Sequence, residues 1–473
     1  MKRIAILGAG LTGLTLASIL SGKGHKVSVF EKDDTAGGLA RTFEFDGQLY
    51  DMGPHEFCTN NPTLASLLSD LLGEDLIVGH KKSAQYFMGK FIDYPLKPLH
   101  FFRQMDKRLI FKIMTELLYF RLNNLVSDPM DYSFEHWVTN RFGSTMYKLY
   151  FKPYTEKVWG IDPGLLDPRT ASDRIAFNSV FDILHQTFLY YFFKKEQFRS
   201  IHNPLKSSYY YSRGGIGHLL DRLYEHCIEA GCVIKTNWEV KKVKTEDDMV
   251  TAIVNQSGKV IKDYDVYVNT VPITTLNVAL GQPKLNTNLR FRSMIFCFLD
   301  IPRSSLSRFH WIYFPELKCS FQRLTDFSHF NAGMTKPGRT GICVEIACFD
   351  TDTLWGSEDS RIIDLAKKDL AATGLLKDMK GIKGWVRREK YAYPIQVDGF
   401  LEQVKHSISY VSTIKNLVTT GRQGLYKYCN MNECMEMAIE LAESIEKGEE
   451  VKTALESKWR GLGAGGMKAN SGR

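Results

Sequence analysis

Ile4-Ala5-Ile6-Leu7-Gly8-Ala9-Gly10-Leu11-Thr12-Gly13 opens a stretch that runs on to Val27-Ser28-Val29-Phe30-Glu31, and this stretch decides the fold. Residues 4–7 form an uninterrupted apolar run, the pattern of a strand buried on both faces. Gly8, Gly10 and Gly13 follow in G-x-G-x-x-G spacing and open a helix predicted over 11–22. Gly8 makes the tight turn, Gly10 admits a pyrophosphate to the backbone, and Gly13 lets helix pack on strand. The helix N-terminus, with Leu11 and Thr12, offers free N–H groups and a positive dipole end to phosphate. A second strand over 27–30 ends at Glu31, an acceptor for a ribose diol. The set specifies a dinucleotide site in an α/β fold.

Which dinucleotide follows from the next residues. Lys32-Asp33-Asp34-Thr35-Ala36-Gly37-Gly38-Leu39-Ala40-Arg41 resembles the second fingerprint of FAD proteins of the glutathione-reductase-like class. In that class the Gly-Gly pair and the arginine lie against the flavin diphosphate. The resemblance implies FAD and a cofactor role for Lys32, Gly38, Leu39 and Arg41.

At 473 residues the chain is long enough for two or three subdomains with cores of their own. The sequence begins without a signal-peptide pattern and holds no apolar run of about 18–20 residues, so no transmembrane span is predicted. Nine scattered cysteines without metal-ligand spacing read as reduced thiols of a cytoplasmic protein, and no metal site is expected. A net charge of +8 without a long basic run suits an anionic small molecule better than nucleic acid.

The predicted organisation is an FAD-binding domain in three parts (1–80, 206–280 and 406–450), interrupted by three further segments. These are a hairpin (81–98), a helical domain (99–205) and a β-sheet substrate domain (281–405), and a tail (451–473) rich in Gly, Ser and Lys is expected to be disordered. Gly53-Pro54-His55 follows a strand and suggests backbone running beneath a flat ring, with His55 at its edge. A basic, aromatic helix over 101–125 suits either a membrane surface or packing against protein. Tyr150-Phe151-Lys152-Pro153-Tyr154-Thr155-Glu156-Lys157-Val158-Trp159 interleaves aromatic and basic side chains, suited to a ring with phosphates. The strands from Val233 to Asn269 resemble the returning half of a flavin-binding domain, which implies that Val240 lies against adenine. Gly421-Arg422 ends a strand before a helix predicted over 433–445, whose N-terminus would meet the ligand.

These residues resemble the UDP-galactopyranose mutase family, especially its eukaryotic type, within the group that includes protoporphyrinogen and amine oxidases. Lys152-Pro153-Tyr154, Lys157-Val158-Trp159 and Arg174 resemble its helical-domain block. Trp311-Ile312-Tyr313-Phe314-Pro315-Glu316 with Arg323 resembles the block carrying a phosphate-binding arginine. Tyr393-Pro394 and Gly421-Arg422, with Tyr428 and Asn432, resemble its closing motifs. The resemblance implies that Arg174 and Arg323 clamp a substrate diphosphate with help from Tyr313, Tyr393 and Tyr428. It implies Tyr154, Trp159 and Lys97 in the substrate pocket, and His55, Gly421, Arg422, Tyr428 and Asn432 about the flavin. The implied reaction interconverts pyranose and furanose forms of a nucleotide-diphosphate sugar without net redox. The N5 of reduced FAD acts as nucleophile at the anomeric carbon, a reductant such as NADPH keeps it reduced, and a homo-oligomer is compatible. Leu96, Lys97 and Thr155 depart from the family's nucleotide and sugar contacts.

Two other classes stay open. An oxidase or desaturase of the protoporphyrinogen or amine oxidase type would take an apolar substrate, with peripheral membrane contact, and would need no diphosphate clamp. A non-catalytic escort protein would bind without turnover, and the intact phosphate loop argues against it.

Overall fold

The parallel strands expected around the glycine loop are present and set the frame. In the computed structural model, which describes residues 1–94, 104–124, 131–172, 175 and 208–448, five parallel strands form one sheet. Their order is Leu417–Thr419, Val266–Asn269, Arg3–Leu7, Lys26–Phe30, Val233–Lys235. Ile4, Ile6, Val29 and Val268 are wholly or nearly wholly buried, because helices Leu11–Gly22, Gly217–Glu229 and Met431–Lys447 cover one face. The chain therefore returns twice to this sheet from distant sequence.

A seven-stranded mixed sheet stands opposite, in the order Lys383–Ile395, Arg290–Ile301, Thr340–Cys348, Arg323–Asp326, Trp311–Tyr313, Ser83–Phe87, Lys90–Tyr94. Trp311–Tyr313 pairs parallel with Ser83–Phe87, and the other pairs are antiparallel. One apolar cluster reaches from Ile4 and Leu14 through Tyr50 to Phe296 and Phe298, so the two sheets share a core. Helices Phe134–Phe142 and Lys152–Trp159 close the third side around Trp137, Val138 and Trp159. The fold class read from the sequence holds: a glutathione-reductase-like α/β domain, with a helical insertion and a mixed sheet.

Some local expectations differ. The helix expected from residue 101 is described from Lys107 to Asn124. It is two-sided: Ile113 and Leu117 are buried, while Phe111, Leu118, Tyr119 and Leu122 are exposed. Within the β-sheet domain the strand Arg323–Asp326 begins only at Arg323, and Asp369 takes the Ser320 N–H just before it. Helices Ile273–Ala279 and Phe400–Thr413, and the pairing of Leu76–His80 with Ser208–Ser212, were not expected. Arg174, Lys97, Leu96 and the C-terminal tail lie outside the described residues. Among the described residues no helix is long and apolar enough to cross a membrane, and no group of His, Cys, Asp or Glu could hold a metal.

Candidate active site

Between the two sheets and the helical insertion lies a cavity of about 980 Å³. Its first end is the glycine loop. A Cβ on Gly13 would stand 2.0 Å from the Gly8 carbonyl oxygen, so helix and turn touch as the spacing predicts. A Cβ on Gly10 would meet nothing within 4 Å, which leaves that side open toward the cavity. Gly8, Leu11 and Thr12 line it as well. Glu31 is buried and accepts hydrogen bonds from the N–H groups of Ala9 at 2.8 Å and Asp33 at 3.0 Å. Those bonds fix the carboxylate beside the glycine loop.

Lys32, Gly38, Leu39 and Val240 line the same end, together with Trp238. Trp238 packs 4.7 Å from Phe30, and its buried indole N–H has no partner. Arg41, Gly53 and Gly421 are not part of the wall. Arg41 instead braces the loop, donating to the Gly38 carbonyl at 2.9 Å and pairing with Asp33 at 3.4 Å.

At the middle of the cavity Pro54 and His55 face the start of the helix Met431–Lys447. Asn430 and Glu433 cap that helix reciprocally, a capping box that fixes its first turn in the wall. Asn432 is buried there and its side-chain amide nitrogen lacks a partner. Arg422 donates to the carbonyls of Cys429 at 2.9 Å and Ala392 at 2.8 Å. Its guanidinium lies beside the rings of Tyr393 and Tyr428, 5.0 and 5.1 Å from their centres. Burial, with Arg323 and Arg422 nearby, pushes the His55 imidazole down to about 3. His55 is therefore neutral at ordinary pH, with its Nδ1 unpartnered.

The far end carries Arg323, with Tyr313 and Tyr393 near it. Tyr313 stands 6.0 Å from its guanidinium, and Tyr154 lies 6.2 Å from Tyr313. Tyr393 reaches Trp159 at 6.0 Å and Tyr428 at 5.8 Å. The sequence reading assigned Arg323 to phosphate alone, but the structure pairs it with Glu345. Nε and Nη2 donate to the two carboxylate oxygens at 2.6 and 2.7 Å. The antiparallel register sets Arg323 directly opposite Glu345, so both side chains share one face. The pair holds the guanidinium plane fixed, raises its affinity for its proton, and leaves Nη1 unclaimed by Glu345. Lys157, in the motif with Trp159, is structural in this fold. Its ammonium caps the carbonyls of Phe314 and Phe321, at 2.7 and 3.3 Å, and that of Glu316.

Sequence reasoning missed Glu345, Trp238 and Gln85 in this wall. Glu345 did leave a signal, since an acid inside Ile342-Cys343-Val344-Glu345-Ile346 is a buried charge in need of a partner.

Residues 11–303, more than half of the chain, match the family described as flavin containing amine oxidoreductase. The chain belongs to that family. FAD is the family's cofactor, and the cavity fits it: Gly10 opens onto it, and Asn432 and Trp238 hold unpartnered buried donors in its wall. Chloroplastic protoporphyrinogen oxidase of Nicotiana tabacum is 28% identical over 36% of this chain and 31% of its own length. A 4,4'-diapophytoene desaturase of Staphylococcus haemolyticus is 51% identical over 11% of this chain and 10% of its own. The chain thus matches about a third or less of these relatives' lengths. The solved structure of a reduced UDP-galactopyranose mutase shares the fold with a TM-score of 0.80, over 98% of both chains at 19% identity.

Proposed function

We propose that this flavoprotein interconverts pyranose and furanose forms of a nucleotide-diphosphate sugar, of the UDP-galactose kind. The observation that carries this reading is the Arg323–Glu345 pair in the wall of the flavin cavity, with Tyr313 and Tyr393 near it and Tyr154 and Tyr428 elsewhere in the same wall. An apolar substrate gives no reason to hold a guanidinium there. A diphosphate does, because charge-assisted hydrogen bonds from a fixed fork are the strong ones. Glu345 keeps that fork in plane, and Arg323 Nη1, which Glu345 does not claim, would bind a phosphate oxygen beside Tyr313. Arg174 is the second cation that the reading calls for.

Gly8, Gly10, Thr12, Glu31, Lys32, Gly38 and Asn432 would hold FAD, which in its reduced form supplies the nucleophile. The chain's own work is then positional. It fixes the anomeric carbon against the cofactor, holds the departing nucleoside diphosphate for recombination, and keeps His55 uncharged beside the ring.

A second reading draws on a different observation. The cavity continues into an apolar end made by Ile113, Met114, Leu117, Phe134, Phe142 and Phe151. With the oxidase and desaturase relatives, that end supports oxidation of an apolar substrate.

Titration with UDP separates the two. Arg323→Met alone leaves Glu345 buried without its partner, a loss of about 3–5 kcal/mol in stability. Arg323→Met with Glu345→Met restores most of it, because an apolar pair of similar size replaces both charges. Wild type is expected to bind UDP at least tenfold more tightly than the stable double variant. Equal affinity in the two overturns the phosphate role of Arg323.

A further inference from the structure

Two cysteines stand where the fold gives a thiol something to do, and the proposed reaction uses neither. Cys429 ends the loop after Tyr428, and Cys434 lies in the first turn of the helix Met431–Lys447. Their sulfurs are 3.5 Å apart, both side chains are buried, and both line the cavity. The surroundings of the two differ. Cys434 has the Cys429 thiol, the Arg422 guanidinium and the Thr12 hydroxyl beside it, at a helix end where the dipole favours negative charge. These hold the Cys434 thiol below its ordinary value, while Cys429 is pushed well up by its partner and by burial. Cys434 is thus the sulfur set beside the cation and the helix end, the setting that favours a thiolate.

Cys227 and Cys232 share the five-residue separation and also interact, yet their setting is different. The Cys227 thiol donates to the Leu14 carbonyl in the core, is pushed up by Cys232 and by burial, and lies outside the cavity wall. Spacing alone does not distinguish the pairs; the cation, the helix end and the cavity do.

We propose that Cys429 and Cys434 form a redox couple in the wall of the cofactor cavity, oxidised to a disulfide by a hydroperoxide. Cys434 sulfur attacks one peroxide oxygen. The O–O bond breaks, the departing oxygen leaves as hydroxide and takes a proton to become water, and Cys434 carries a sulfenic acid. Cys429 sulfur then attacks Cys434 sulfur, the S–O bond breaks, and the Cys429 proton leaves with the oxygen as a second water. With hydrogen peroxide the balance is two thiols to one disulfide and one peroxide to two waters, a transfer of two electrons. Closing the gap to about 2.05 Å draws the loop bearing Tyr428 toward the helix bearing Asn432. It also moves the Cys429 carbonyl that Arg422 holds. The couple does not rest on the sugar-mutase reading, and it stands or falls with the sulfurs themselves.

The full-length protein is treated with stoichiometric hydrogen peroxide, quenched, denatured, alkylated and mapped by peptide mass. The peptide holding residues 429–434 is expected to lose about 2 Da and escape alkylation, at least tenfold faster than the Cys227/Cys232 pair. In Cys429→Ser the reaction stops at a sulfenic acid on Cys434 that a cyclic 1,3-dione traps. In Cys434→Ser, Cys429 stays a thiol. The proposal is overturned if wild-type Cys429 and Cys434 remain alkylatable at the rate of Cys227 and Cys232. It is overturned equally if the trapped sulfenic acid sits on Cys429. The wild-type comparison decides the matter even where a serine variant fails to fold.

Discussion

At the scale of single residues, His55 shows how burial selects a chemical state. Burial is the main cause of its low value of about 3, against an ordinary 6.5, with Arg323 and Arg422 adding to it. A folded-state value below the unfolded one means the folded protein binds fewer protons at this position. The stability contributed is present above about pH 6.5 and is lost as pH falls toward 3. His55→Gln removes the titration and keeps a polar side chain. Melting temperatures followed from pH 7 to 4 are expected to fall less steeply in His55→Gln than in wild type. Parallel slopes would show that the imidazole is not held neutral by its surroundings. Arg323 makes the complementary point: its charge survives burial because Glu345 meets it with both oxygens, and the pair turns a flexible cation into a fixed fork.

At the scale of elements, the glycine loop and the strand register each position part of the cavity. A Cβ added to Gly13 would stand 2.0 Å from the carbonyl oxygen of Gly8, and that neighbour is backbone that cannot turn aside. Gly13→Ala therefore has to open the turn between the first strand and its helix. It is expected to purify colourless or with a small fraction of wild-type flavin absorbance at 450 nm, and to melt several degrees lower. Full flavin content in Gly13→Ala contradicts the account of the loop. Much of this level was legible in the sequence, because local patterns fix it: the glycine spacing, the helix that follows it and the hairpin after residue 81 depend on neighbours. What was not legible depends on register between distant strands. Arg323 and Glu345 are 22 residues apart, and only the pairing of their strands brings them face to face. The start of the strand at Arg323 likewise depends on Asp369, which reaches Ser320 from a helix in a different part of the chain. The capping box at Asn430 and Glu433 was readable in principle, since N-x-x-E before an apolar run is a start signal, and it moves that helix two residues earlier than expected.

At the scale of the whole molecule, three bodies meet at one cavity: the parallel sheet with its phosphate loop, the mixed sheet with Arg323, and the helical insertion with its apolar wall. Family membership fixes the cofactor and the general class, and the mixed sheet decides what is offered to the substrate. On the proposed reading the end with the fixed guanidinium receives an anionic group, while the apolar end alone would suit a hydrocarbon. The most direct measurement follows from that contrast. The protein is reduced chemically without oxygen and given UDP-galactopyranose, with the flavin spectrum followed and the sugars separated afterward. The account predicts UDP-galactofuranose at equilibrium, an unchanged reduced-flavin spectrum at the end, and no product from the stable Arg323→Met/Glu345→Met variant. No furanose from the reduced wild type, with peroxide released when an apolar substrate and oxygen are supplied instead, would contradict it.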